Sequence, residues 1–270
     1  MRWTLLVGLM IADSGVTKAQ DDLPQGALVV IGGGTTTSEI REKALELAGG
    51  ETARVAIVAE ANPDNGPDSL AMWQATDVKQ VDLINTRKPA AAKRILNEAD
   101  LIWIPGGLQG VFMNGLRGSG LQEVILRRYR EGAIVAGTSA GAAVMSQIMI
   151  GGRSDLDSLK AGTAPYLMNG LGLWPEVIID QHFLQKGRFN RLVLATIDHP
   201  ELLGIGIDEE TAAIVRGREF EVIGSNNVTV IDGRQASREV LTKGEAAAAR
   251  NLKVHILRAG MKFNLDDLKK

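Results

Sequence analysis

The chain has no cysteine and only three histidines among its 270 residues. The first absence excludes disulfide scaffolds, thiolate metal sites and every cysteine nucleophile, so any covalent chemistry here must use oxygen or nitrogen. The second leaves His182, His199 and His255 as the whole supply of imidazole bases. Excess charge of one sign is lacking too. With 30 basic against 32 acidic side chains and a formal net charge of −2, there is no basic surplus of the kind phosphate-backbone binding needs, and nucleic acid is not an expected partner. No apolar run reaches the roughly 20 residues of a membrane span, so a membrane is not an expected partner either. What is present is a composition of 45% hydrophobic and 23% charged residues, that of a globular protein long enough to bury one large core.

The N-terminus carries Arg2, an apolar stretch over 3–12 and then Thr17-Lys18-Ala19, with small residues at the −3 and −1 positions of a cut before Gln20. This pattern fits a secretory signal over 1–19 and predicts a secreted or periplasmic protein; without cleavage the expected location is cytoplasmic. Residues 20–270 are then expected to form a single domain. Apolar runs at 27–31 (ALVVI), 55–59 (VAIVA), 78–84, 101–104 (LIWI) and 133–136 (AIVA) read as strands buried on both faces. Segments of helical composition at 38–48, 68–76, 88–98 and 122–130 lie between them. Such βα alternation predicts a doubly wound α/β fold with a mostly parallel sheet. Past residue 200 the runs 205–207, 212–215, 219–222, 228–231 and 253–257 are short strands with tight polar turns, expected as antiparallel additions at the sheet edge.

Four segments carry candidate chemistry. Gly137-Thr138-Ser139-Ala140-Gly141 follows the run 133–136 and precedes an expected apolar helix over 142–150, the strand, sharp turn and helix of a nucleophile elbow. In such a turn the Ser139 hydroxyl points away from the sheet, and the Ala140 amide can face a developing oxyanion. A phosphate-binding glycine turn is the plain alternative. The run LIWIPGGLQ at 101–109 ends a strand at Gly-Gly, where Gly107 can supply a second backbone donor and Gln109 can orient a carbonyl or cap a helix. In VIIDQHFLQKGRFNRL at 177–192, a strand end carries Asp180, Gln181 and His182, and Arg188 and Arg191 stand at i, i+3. Two guanidiniums on one helix face can clamp a carboxylate or simply face solvent. His182 is the best-placed base, because His199 precedes a proline and His255 sits within a strand. The acidic triple Asp208-Glu209-Glu210 in GIGIDEETAAIV can supply the carboxylate that orients a base histidine, with Asp155 and Asp157 as other candidates.

GTSAGA at 137–142, DQHF at 180–183 with Arg188 and Arg191, GIGIDEETA at 204–212 and VHILRAGMKF at 254–263 together resemble the cyanophycinase-type serine peptidases, a family that also contains aspartyl dipeptidase. The Ser…His…Glu order differs from that of α/β-hydrolases, where the acid precedes the histidine. The resemblance implies a flavodoxin-like, class I glutamine amidotransferase-like α/β sandwich. It implies a triad of Ser139, His182 and Glu209, with Asp157 and Glu210 as alternative acids, and an oxyanion site at the Gly107 and Ala140 amides. Substrate contacts fall on Gln109, Asp180, Gln181, Lys186, Arg188 and Arg191. Cyanophycinases release β-aspartyl-arginine dipeptides from a polymer with an aspartate backbone, so the implied partner is a peptide or cyanophycin-type substrate. No metal or organic cofactor is expected, and a homodimer is expected by analogy. Two positions depart from the family pattern: Leu108 stands where an acidic or amide residue is usual, and Lys186 where an arginine is. A small-peptide aspartyl dipeptidase and a non-catalytic binding protein on the same fold are the rival functions.

Overall fold

The apolar runs of the N-terminal half become five parallel neighbours in the order β1-β5-β4-β2-β3: β1 (Leu28–Ile31), β2 (Arg54–Ile57), β3 (Gln80–Leu83), β4 (Leu101–Ile104) and β5 (Ile134–Thr138). They are linked by α1 (Ser38–Ala48), α2 (Asn65–Gln74), α3 (Pro89–Glu98) and the pair α4 (Gln109–Leu116) and α5 (Leu121–Arg130). The computed structural model describes residues 23–152, 159–160, 166–238 and 244–267. The expected signal segment 1–19 and the candidate acids Asp155 and Asp157 lie outside them. Local chemistry sets the helix ends. Thr37 caps α1 by accepting from the Ile40 amide at 3.5 Å, and Gly49, at φ 101°, closes it in the left-handed region where a side chain would be strained. Pro89 opens α3, where its missing N–H costs nothing.

After β5 follow α6 (Ala140–Ala143), the antiparallel pair β6 (Ile148–Ile150) and β7 (Leu167–Asn169), then β8 (Val177–Gln181), α7 (Phe189–Asp198) and β9 (Leu203–Ile207). The helix expected over 142–150 is thus a single turn. Its onward carbonyls are taken from outside: the Leu171, Trp174 and Gly172 amides donate to the Val144, Met145 and Ser146 carbonyls at 2.7, 2.9 and 3.1 Å. With those acceptors occupied the chain leaves the helical path, and Ile148–Ile150 pairs as a strand.

The last strands divide between two sheets. β10 (Thr211–Arg216), β11 (Glu219–Gly224) and, beyond it, β16 (Lys262–Asn264) extend the large sheet antiparallel from β1, as expected, giving eight strands. β9, β12 (Asn227–Asp232) and β15 (Lys253–Arg258) instead join β8 in a separate four-stranded sheet in the order β15-β12-β9-β8. A further two-stranded pair, β13 (Ser237–Arg238) and β14 (Ala249–Arg250), stands apart. Three packed clusters explain the division. Leu28, Val30 and Val135 on one face of the large sheet share a core with Ile179, Ile205 and Val230 of the small one and with Phe112 and Ile125 of α4 and α5. The opposite face, with Val29, Ile31 and Ala136, packs on Ile40 of α1 and Trp73 of α2. The outer face of the small sheet, with Ile178 and Ile231, is covered by Leu192 and Ala195 of α7. β9 therefore buries both faces, and strand period alone does not reveal which sheet a buried strand joins. Among the described residues no helix is long and apolar enough to cross a membrane.

The register brings four strand ends to one edge. Ile31 of β1 stands beside Thr138 of β5, and Gln181 of β8 beside Ile207 of β9. The amide of His182, just past β8, donates to the Gly32 carbonyl just past β1 at 2.5 Å and ties the two sheets together there.

Candidate active site

Ser139 follows β5 at φ 56° and ψ −116°, a conformation that L side chains rarely hold and that needs support on both sides. Its amide donates to the Ile31 carbonyl at 3.1 Å. Gly141 lets the following turn close on β4: a Cβ there would lie 1.9 Å from the Ile104 carbonyl oxygen. Ala140 is the first residue of α6, so its amide has no partner within that helix.

The Ser139 Oγ lies 2.8 Å from His182 Nε2, and His182 Nδ1 lies 2.5 Å from Glu209 Oε1. With Nδ1–H donating to the carboxylate, Nε2 is left to accept the Ser139 proton. Of the acidic triple, Glu209 alone meets the imidazole. Asp208 is buried and accepts from the Leu184 amide at 3.0 Å and the Asn227 amide at 3.3 Å. Glu210, at φ 55°, turns the chain into β10, its amide donating to the Gly33 carbonyl at 2.9 Å. Glu209 itself is fixed at the backbone: its amide donates to Gln185 Oε1 at 3.1 Å, and its carbonyl accepts from Asn226 Nδ2 at 2.9 Å. Burial pushes the His182 imidazole below its ordinary titration range. The Glu209 hydrogen bond opposes that shift, and the positive charges of Lys186 and Arg188 add to it.

The glycine run after β1 forms a wall of this site that pattern-reading passed over. A Cβ on Gly33, at φ 109°, would lie 2.3 Å from the His182 ring, and one on Gly34 would lie 2.9 Å from Glu209 Cβ. Its only signal in the sequence is Gly32-Gly33-Gly34 at the end of a buried strand, the edge where α/β proteins place their sites.

The remaining candidates are distributed differently from the expectation. Asp180 and Arg191 are each 1% exposed and pair with each other. Arg191 Nε donates to Asp180 Oδ2 at 2.6 Å and Nη2 to Oδ1, a two-pronged internal ion pair. Arg188 is also buried, its Nη1 donating to the Gln181 carbonyl at 2.5 Å and to Gln181 Oε1 at 2.8 Å. The i, i+3 arginines thus turn inward onto β8 and form no solvent-facing clamp, because their guanidiniums meet acceptors supplied by Asp180 and Gln181. Gln109, first residue of α4, is buried and donates to the Ile150 carbonyl at 2.9 Å, so its amide nitrogen braces β6. Lys186 is exposed in the turn after His182, and Leu108, 62% exposed, projects beside the Gly106–Gly107 loop. That loop reaches the nucleophile: a Cβ on Gly106 would lie 3.3 Å from Ser139 Cβ. His199 pairs with Glu201 at 3.2 Å, and His255, in β15, packs on Phe263 of β16. Among the described residues no group of three or more His, Asp or Glu side chains is arranged to hold a metal ion.

Residues 28–223 match the family described as peptidase family S51. A cyanophycinase from Geminocystis herdmanii is 34% identical over 256 residues, covering 89% of this chain and 94% of that protein. A cyanophycinase from a Nostoc species is 32% identical over 255 residues, covering 88% and 85%. Among solved structures, a peptidase from an acI-B1 actinobacterium superposes with a TM-score of 0.64 at 18% identity over 89% of this chain and 97% of that one, a likeness of fold.

Proposed function

Because this chain belongs to peptidase family S51, we propose that it is a serine exopeptidase that hydrolyses cyanophycin to β-aspartyl-arginine dipeptides through Ser139, His182 and Glu209. That it is a serine peptidase follows from the family and its relatives. The observation carrying the mechanism is the continuous relay from Ser139 Oγ through His182 to Glu209, at 2.8 and 2.5 Å. The finer fold assignment, flavodoxin-like and akin to class I glutamine amidotransferases, is supported by the parallel order β1-β5-β4-β2-β3 with helices on both faces.

In the proposed reaction Ser139 Oγ attacks an aspartyl carbonyl carbon while its proton passes to His182 Nε2. The carbonyl electron pair moves onto oxygen, which the Gly107 and Ala140 amides hold. Collapse of this intermediate expels the amine, which takes the proton from His182 and leaves an acyl-serine ester. Water then attacks the ester, gives its proton to His182, and Ser139 leaves with that proton. Glu209 keeps the imidazole in the correct tautomer and stabilises its cationic form.

Cyanophycin as substrate rests on the names of the two relatives and on the positive charge of the exposed Lys186 at the rim, which can meet an aspartyl carboxylate. Incubation with cyanophycin should release β-Asp-Arg, identified by product mass. The exposed Leu108 favours a second function, an aspartyl dipeptidase acting on small peptides. It would leave the polymer intact while cleaving α-Asp or β-Asp-Arg dipeptides, and that outcome would overturn the polymer assignment.

The pH profile has a definite sign. Only neutral His182 can take the Ser139 proton, so kcat/KM should rise with pH and level off above the imidazole titration. Because burial lowers that titration, the inflection should fall on the acid side of the ordinary value of about 6.5. Lys186→Met removes a positive charge that disfavours the imidazolium, so it should shift the inflection toward higher pH. A downward shift in that variant, or a wild-type kcat/KM that falls as pH rises through the imidazole titration, would contradict the assignment of His182 as base.

A further inference from the structure

The peptide unit joining Gly106 and Gly107 presents its two ends to different residues. Its N–H is the proposed oxyanion donor, and its carbonyl oxygen accepts a hydrogen bond from Asn65 Nδ2 at 2.9 Å. We propose that Asn65 is a positioning residue for the hydrolysis, holding this peptide plane so that the Gly107 N–H points at the reacting carbonyl oxygen. The inference rests on the Ser139 mechanism proposed above.

Three observations carry it. First, the orientation of the Asn65 amide is set. Its Oδ1 accepts from Asn62 Nδ2 at 3.4 Å, which leaves Nδ2 to face Gly106, and the flipped amide would set two acceptor oxygens against each other. Second, the loop is gripped on both sides of Gly107. The Leu108 amide donates to the Ala61 carbonyl at 2.9 Å, as Asn65 donates to the Gly106 carbonyl. Gly107, at φ 146°, fits so closely between them that a Cβ would lie 2.3 Å from the Ala61 oxygen. Third, the support is itself braced: the Asn65 amide donates to the Asn62 carbonyl at 3.0 Å, Gly66 to Pro63 at 3.0 Å, and the Asp64 amide to Asn62 Oδ1 at 3.2 Å. A donor on the carbonyl end of a peptide also polarises it, which strengthens the N–H at the other end. Asn65 therefore acts on the transition state through geometry and polarity, 41 residues from Gly106 in sequence, without touching substrate.

Two variants separate positioning from stability. Asn65 is the first residue of α2, where a carboxylate interacts favourably with the helix N-terminus, so Asn65→Asp removes the donor without weakening the helix. Asn65→Ala removes it without adding charge. Both should lower kcat, and the rate of Ser139 labelling by a fluorophosphonate, by about tenfold to a hundredfold, the scale of a misplaced catalytic group. KM should be unchanged for both variants, the melting temperature should fall by no more than a few degrees, the scale of one lost hydrogen bond, and for Asn65→Ala the inflection of the pH profile should be unchanged. Wild-type kcat in both variants, or a loss confined to KM or to melting temperature, would overturn the proposal while leaving the Ser139 mechanism in place. If the wild-type protein neither cleaves peptide nor labels at Ser139, the mechanism fails and this inference fails with it.

Discussion

Ser139→Ala is expected to lower the rate of peptide hydrolysis about 10⁶-fold, the scale on which loss of a triad serine acts, with little change in folding. The fold should survive for a local reason. The Ser139 side chain has one described partner, the His182 imidazole, and that imidazole side chain is partly exposed, so removing the serine oxygen leaves a ring nitrogen that water can satisfy. The strained backbone at φ 56° costs alanine about what it costs serine, since both carry a Cβ. Melting temperature should therefore match that of the wild-type protein, and substrate should still bind. Labelling by a fluorophosphonate should disappear together with turnover, because both need the same nucleophile. Hydrolysis at the wild-type rate in this variant would remove Ser139 from the mechanism. Failure of wild-type Ser139 to react would instead favour a non-catalytic binding protein on this fold.

The ease with which each catalytic candidate could be read depended on how local its determinants are. Ser139 was legible because a strand, a glycine-flanked serine and a small-residue turn are contiguous, and the strain at φ 56° belongs to that segment. His182 was legible by scarcity, being one of three histidines and the one at the end of an apolar strand. Neither spacing nor motif order distinguishes Glu209 from Asp208 and Glu210; the family resemblance points to Glu209 and leaves Glu210 open. The structure adds that Asp208 spends both oxygens on backbone amides. What escaped the sequence depends on contacts between distant segments. The small sheet forms because Ile205 and Val230 face the large one while α7 covers the other side, and strand alternation does not specify a partner. Asn65 and Gly33 act across 41 and 149 positions respectively, the latter being the separation of Gly33 from His182 (182 − 33). Arg188 stands just before α7 and Arg191 in its first turn, and an i, i+3 spacing does not say whether the two side chains point into solvent or into the protein.

The inward turn of these two side chains makes Asp180 the site of the second large effect. Asp180→Ala should destabilise the protein by about 3–5 kcal/mol, because it leaves the 1%-exposed Arg191 as a buried charge without its carboxylate. For a chain of this length that is a fall in melting temperature on the order of 10 °C. A solvent-facing carboxylate that binds a substrate guanidinium would behave otherwise, raising KM with the melting temperature unchanged; thermal unfolding and steady-state kinetics on the same sample separate the two. The double variant Asp180→Ala with Arg191→Met removes the two-pronged pair and fills its space with apolar atoms but leaves the buried Arg188, whose Nη1 lies 3.7 Å from Asp180 Oδ1, without that carboxylate, so it should recover part of the lost stability. Recovery would identify the cost as an uncompensated charge rather than a cavity. Asp180 is the penultimate residue of β8, two before His182, and Arg191 lies in α7, so the pair fixes the strand end from which the imidazole projects. Activity in Asp180→Ala should then fall more steeply than wild type as temperature approaches the lowered midpoint, because the His182 to Glu209 contact at 2.5 Å requires that strand end to hold its place.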